Sequence, residues 1–363
     1  MSQLSFLSID SEFLFALVVL IPGLIIFLIM TLNAMVAVYL ERKVSAFMQD
    51  RLGPMEVGIF GFKGGKKFWG GIGQTIADAI KLLVKEDIIP RDADRGLMVL
   101  APFIIFIGAF LTFIGVPLSD GIVISDFNIG IFYVIAVSSV GVIGIILAGW
   151  SSNNKWSLYG AMRSAAQIIS YELPIGLTLM LAVMVAGSLQ VNDIVQWQED
   201  NRWFILHSPF TIIAFAIYFI SGVAETNRVP FDIPEAESEL VAGWMTEYSG
   251  FRWAIFFLSE YANMLIISIV ASLVFLGGWL SPFKMFNLPY VDIVPESWFM
   301  LDGPLIGLVW MFLKVAFLIF VMMWFRWTFP RLRVDQLMYL CWKVFIPFAL
   351  ANVLFVSIWE LIF

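Results

Sequence analysis

The sequence predicts an all-α, polytopic membrane protein with about eight transmembrane helices and an amphipathic surface helix on the inner side. Three observations carry that expectation. Of 363 residues, 61% are hydrophobic and 13% charged, and the mean hydropathy is +0.91; a soluble domain carries about 25% charged residues. Eight segments approach the ~20 apolar residues that a spanning helix needs. Lysine and arginine are unevenly divided between the loops, which sets an orientation.

Taken in order, the expected spans are 13–38, 97–116, 129–149, 166–187, 209–225, 253–278, 304–325 and 343–362. The fifth is the weakest, because its apolar run from Ile212 ends at Glu225. Loops 39–96, 150–165, 226–252 and 326–343 hold eighteen of the 21 basic residues. The opposite loops hold only Arg202 and Lys284, and Lys314 lies inside the seventh span. The basic loops are therefore expected on the inner side and both termini on the outer side. In the first inner loop, Trp69, Ile72, Ile76, Ile80 and Leu83 recur at helical spacing, with Asp78, Lys81 and Lys85 on the other face. That pattern suits a helix lying on the membrane surface or against the bundle. Neither a repeat nor a low-complexity linker divides the chain, so residues 1–363 are expected to form a single integral membrane domain. The first apolar run is too long for a signal peptide and lacks its basic flank.

The chain has one cysteine, Cys341, and one histidine, His207. Disulfides, cysteine-ligated iron–sulfur clusters, zinc sites and bis-histidine haem are thus excluded within it. Any redox cofactor must belong to a partner. The glycines at 64–65 and 70–73 lack the strand and the lysine–serine pair of a phosphate loop. Lys63, Lys66 and Lys67 suit lipid headgroups or a partner surface rather than nucleic acid. His207 and the aromatic residues near the span ends read as interfacial.

Charges at membrane depth cost roughly 2.5–3.5 kcal/mol each. Glu172 (just before Pro174), Glu225, Glu260 and Lys314 stand at such depth. Taken singly, each suits a structural ion pair or a snorkelling helix end. Together, three acids and a lysine in one bundle are the raw material of a proton relay, since burial and mutual repulsion raise the proton affinity of carboxylates. The stretch VAETNRVPFDIPEAESELVAGW at 223–244 adds Asp232, Glu235, Glu237 and Glu239, answered by one base, Arg228. Pro234 in a first helical turn would put Glu235 and Glu237 at the positive end of a helix dipole. Capping does not account for Glu225 or Glu239.

Longer strings carry more. YLERKVSAFMQDRLGP at 39–54, ADAIKLLVKEDIIP at 77–90, GWSSNNKWSLYGAMRSAAQIISYE at 149–172, AETNRVPFDIPEAESELVAGWMTEYSG at 224–250, FFLSEYANM at 256–264 and RWTFPRLRVDQLMYLCWKVFIP at 326–347 occur in this order. From about Leu40 to the C-terminus the chain resembles the family of H subunits, the quinone-site membrane subunits of proton-pumping NADH–quinone oxidoreductase, respiratory complex I. Pro234 is a mild departure from that pattern.

The resemblance implies a protein that joins the electron-carrying arm to the membrane arm, forms much of the quinone chamber and couples quinone reduction to proton translocation. It implies quinone as substrate, with NAD and iron–sulfur clusters only in partner subunits. The implied partners are an iron–sulfur subunit beside the quinone site, neighbouring membrane-arm subunits and the lipid bilayer. The implied location is the cell inner membrane, ahead of the mitochondrial one. Residue by residue, it implies Arg42, Arg51, Asp78, Arg228, Phe231 and Asp232 at the quinone site. Glu41, Glu172, Glu225, Glu235, Glu237, Glu239 and Glu260 match acids of a polar path from the quinone to the membrane axis. For Asp78 the alternative is a surface ion pair with Lys81 one turn on. Two rival readings of the whole chain are a homologous membrane component of a membrane-bound hydrogenase-type complex and a stand-alone proton or cation transporter.

Overall fold

Helix starts and stops in the computed structural model follow local chemistry. It describes residues 11–58, 70–233, 240–282 and 304–362, among which every regular element is helical. Helix α1 (Ser11–Met48) continues past the expected end at residue 38, because no glycine or proline interrupts it between Gly23 and Met48. It stops before Asp50, which takes a positive φ of 50°. Helix α2 (Gly73–Val84) is the expected amphipathic helix, and Ile76, Ile80, Leu83 and Val84 form its exposed apolar face. Trp69, the expected first apolar position, lies outside the described residues.

The Asp94 carboxylate caps α3 (Arg95–Thr112) by accepting from the backbone N–H of Gly96 and Leu97. The third expected span is two helices, α4 (Gly130–Ser138) and α5 (Val140–Ser151). Both Ser138 and Ser139 donate to the Ile135 carbonyl, at 3.0 and 2.9 Å, and such back-bonding competes with the helical ladder. Helix α6 (Lys155–Ala186) begins inside the expected loop 150–165, where Asn154 accepts from Trp156 N–H, and ends at Gly187 with φ 70°. Helix α7 (Val191–Asp200), within the stretch 188–208 between expected spans, has no counterpart in the sequence expectation. Helix α8 (Pro209–Glu225) opens with Pro209 in its first turn and a reciprocal cap between Ser208 and Thr211. There follow α9 (Gly250–Phe275), α10 (Pro304–Thr328), α11 (Val334–Tyr339), a wide turn Leu340–Phe345 and α12 (Ile346–Ile362).

Seven described stretches are long and apolar enough to cross a membrane, and the shorter apolar α8 makes the eighth expected span. The most enclosed is α9, which packs against α1, α2, α3, α8 and α10. Helix α1 is the opposite case: Leu20, Leu24, Leu28 and Leu32 form an exposed stripe at one-turn spacing, matched to a lipid or protein neighbour. Small residues allow the closest approaches. A Cβ on Gly160 would come within 2.8 Å of Gly243 Cα, so α6 touches the turn at 243–245 backbone to backbone.

At two of the prolines inside helices, Pro174 and Pro347, the break in the helical ladder has a visible repair. Pro174 has no N–H for the Ser170 carbonyl four residues earlier. The buried Cys341 thiol donates to that carbonyl at 3.1 Å, and Trp342 Nε1 donates to Ser170 Oγ at 3.3 Å. Pro347 likewise deprives the Lys343 carbonyl. Just ahead of it the chain widens to five-residue bonds, with Ile346 N–H reaching Cys341 O.

Candidate functional site

Glu41 and Arg42 are consecutive on α1, so their side chains leave the helix about 100° apart. Glu41 turns inward and is 5% exposed. Its Oε2 accepts from Arg228 Nη1 at 2.8 Å and from Tyr261 OH at 2.6 Å, and its Oε1 pairs with Arg326. Arg228, also buried, reaches Glu260 Oε1 with Nε at 2.8 Å, and its guanidinium lies 4.5 Å from the Tyr261 ring centre. Two carboxylates and two guanidinium groups thus form one cluster. It joins α1, the loop after α8, α9 and α10. Burial opposes the charge on Arg228, but Glu260, Tyr261 and Glu41 more than offset it and keep its pKa well above the usual arginine range.

Arg42 turns outward and donates to Asp78 Oδ2 on α2 at 2.6 Å. Gln74 donates to the other Asp78 oxygen at 2.9 Å. Asp78 is therefore paired with Arg42, thirty-six positions away, and not with Lys81. Both side chains of this pair stay partly exposed, at 43% and 33%. Arg51 does not join them: it donates to Gln49 and to Ser45 Oγ.

The loop after α8 is pinned from α6. Gln167 Nε2 meets the carbonyls of Ala224 and Phe231, both at 2.8 Å, and Asn227 Oδ1 at 3.1 Å. Asn227, at φ 51°, donates to Ser164 Oγ. Phe231 is enclosed against Tyr171, with ring centres 5.6 Å apart. Asp232 pairs with Arg331 at 3.1 Å through Oδ2, while its buried Oδ1 has no partner. Burial raises its pKa to about 6 against the pull of Arg331, Arg326 and Arg228.

Glu172 on α6 and Glu225 at the end of α8 line one cavity of about 30 Å³, with Tyr218, Ser138 and aliphatic side chains completing the wall. That volume accommodates a water molecule or two. Glu172 Oε1 is buried without a hydrogen-bond partner, and Tyr218 OH donates to the Ile267 carbonyl. Ile266, Ile267 and Val270 of α9 face this cavity, while Glu260 and Tyr261 of the same helix face the ion cluster. From Tyr261 to Ile267 the helix rises about 9 Å. A larger depression of about 370 Å³, between residues 90–93 and 152–155, is open and shares no residue with the cavity.

Of the expected path, Glu41 and Glu260 meet in the ion cluster, and Glu172 and Glu225 meet at the cavity. Glu235, Glu237 and Glu239 lie outside the described residues. Tyr261, Arg326, Tyr218 and Gln167 were not singled out from the sequence. Tyr261 could have been, since it follows Glu260 directly and an aromatic hydroxyl beside a buried acid is a ready donor. His207 pairs with Glu360 of α12 and stacks on Phe204. Among the described residues, no group of three His, Cys, Asp or Glu side chains is placed to hold a metal ion.

The profile of the NADH dehydrogenase family matches residues 21–357. A protein of Chlorobaculum tepidum, named as the H subunit of NADH-quinone oxidoreductase, is 52% identical over 326 residues, 89% of this chain and 86% of that protein. Proteins of the same name from Bacteroides thetaiotaomicron and Anaeromyxobacter dehalogenans are 48% and 45% identical, covering 92% and 90% of this chain and 88% and 78% of their own length.

Proposed function

Because this chain belongs to the H-subunit family of NADH-quinone oxidoreductase, and so is a membrane component of a multi-subunit oxidoreductase, we propose that it forms a wall of the quinone chamber and links quinone reduction to proton movement. The observation that carries this reading is the split at Glu41 and Arg42. One residue points into a buried ion cluster, the next to an open rim.

Arg42, Asp78 and the exposed face of α2 make up the rim. Quinone oxygens gain negative charge as electrons arrive, and a guanidinium held by a carboxylate can turn toward them. Protons must then be delivered. Behind the rim, Glu41, Arg228, Glu260 and Arg326 can exchange partners when that charge changes. Asp232, with its pKa of about 6, is able to take or release a proton near neutrality. Deeper in, Glu172 and Glu225 share a cavity large enough for bridging water. The acids expected at Glu235, Glu237 and Glu239 would extend this path from the loop, and Arg51, Arg228 and Phe231 would shape the chamber from behind.

The electron donor is an iron–sulfur subunit seated over the rim. The exposed apolar stripes face lipid or neighbouring membrane-arm subunits. The basic loops lie on the cytoplasmic side of a bacterial inner membrane, with both termini outside.

The test is Glu225→Gln, which removes the charge without opening a hole. Assembled complex should remain near its normal level. Quinone-linked proton translocation should fall about tenfold or more, a modest figure beside the ~10²–10⁴-fold that a positioned proton-transfer group contributes. Undiminished translocation would remove Glu225 from the path.

A further inference from the structure

Of the four charges that stand at membrane depth, Glu172, Glu225, Glu260 and Lys314, only Lys314 is not used by the proposed function, and its surroundings are unusually complete. It lies in α10, about 15 Å from the start of that helix by helical rise. All three ammonium protons are taken by backbone carbonyls: Leu276 O at 2.7 Å, Gly278 O at 2.8 Å and Leu280 O at 2.7 Å. The ammonium also stands 4.2 Å from the centre of the Trp203 ring. Leu276 follows the last residue of α9, and Gly277 and Gly278 take positive φ of 71° and 50°, which folds their carbonyls around one point. A second side chain holds the same corner: Gln198 donates to Leu273 O at 2.8 Å and accepts from Gly277 N and Phe204 N. The outcome is a cage of carbonyl oxygens and an aromatic face, the recipe for holding a dehydrated monovalent cation. Here the cation is carried covalently.

The cage lies beyond the carboxylate cavity along α9. The cavity wall ends at Val270, and Leu276 lies about 9 Å further along the helix. The negative end of α9 cancels about half of the ammonium charge, so a net positive potential remains there. We infer that Lys314 is a fixed-charge barrier: a tethered cation in a backbone cage that keeps protons from crossing between the outer side and the Glu172–Glu225 cavity. Fixed positive charge and helix ends exclude protons from pores by the same means. Coupled pumping requires such a seal, because a path open at both ends dissipates the gradient it builds.

The test uses the whole complex in liposomes, with passive proton leak read by an entrapped pH dye under an imposed potential and without NADH. Lys314→Gln keeps amide donors for the carbonyls and removes the charge. Its leak should rise on the order of fivefold, the factor that half a unit charge exerts on a cation about 9 Å away at an effective dielectric of about 20. NADH-driven quinone reduction should be unchanged. Lys314→Arg, which keeps the charge, should stay as tight as the wild type. A tight Lys314→Gln complex or a leaky Lys314→Arg complex overturns the barrier. So does failure of both variants to assemble, which would assign the side chain to packing. The inference rests on the proposed function only for the path it guards, and the double variant Lys314→Gln with Glu225→Gln separates the two. Suppression of the leak supports both, whereas an undiminished leak leaves the barrier standing and moves the path away from Glu225.

Discussion

At Asp232, burial and charge pairing pull in opposite directions. Burial wins, and its pKa rises from 3.8 to about 6 in spite of Arg331. The folded state therefore favours the protonated form. The resulting stabilisation is complete below the unfolded value and is lost as pH rises through about 6. A shift of some two units corresponds to on the order of 2–3 kcal/mol. Hydrogen exchange in segment 226–233, corrected for intrinsic rates, should accordingly show better protection at pH 5 than at pH 8. Asp232→Asn should abolish that difference. The resemblance named Arg42, Arg51 and Asp78 together; Arg42 and Asp78 pair, whereas Arg51 pairs with Gln49 and Ser45. The pairings of the ion cluster were not legible. Glu41 finds Tyr261 at a separation of 220 positions, and no local period records such a contact.

Among the elements, the break at Pro174 shows how one helix repairs another. The Ser170 carbonyl has lost its own-helix donor and depends on the Cys341 thiol. Cys341→Ala would leave a buried acceptor unsatisfied, at a cost of about 1–3 kcal/mol. Cys341→Ser restores a donor of similar size. Thermal unfolding of the purified complex should show a clear loss for alanine and a near-normal transition for serine. Equal behaviour of the two would mean that packing, not the hydrogen bond, sets the effect. The apolar spans were readable because each is an apolar run between loops. Their true ends were less so: α1 and α6 extend into the basic loops, since charged residues such as Glu41 and Arg163 stay helical wherever a partner is available. The break between α4 and α5 depends on which carbonyl two serines choose, and apolar periodicity is silent on that.

For the whole molecule, the buried ion cluster acts as a clasp between distant parts of the chain. Glu41 touches Arg228 and Arg326, so its loss takes a carboxylate partner from two guanidinium groups at once. Breaking a buried pair by removing one partner costs about 3–5 kcal/mol. Glu41→Gln should therefore lower the amount of assembled complex in membranes sharply, as read on native gels. Glu225→Gln, by contrast, empties no pair and should not. An Arg326→Gln second substitution should recover part of the loss by balancing the charge. If Glu41→Gln assembles normally, the cluster serves proton handling without holding the helices together.

The wide turn at Leu340–Phe345 has a last consequence, which concerns phase. One residue more than an α-turn requires sets the rotation of everything after it. That rotation points Asn352 at the Phe210 carbonyl, 2.9 Å away, and turns Ala349 and Val356 into the bundle. Deleting a single residue there would restore the common helical pitch and swing α12 by about 100°. Its inward face would then look out, and exposed side chains such as Leu350 and Leu354 would be driven inward. Residues can be trimmed from the far end of α12, where Leu361 and Ile362 make little contact, without disturbing this alignment. Within the turn, length itself is the information.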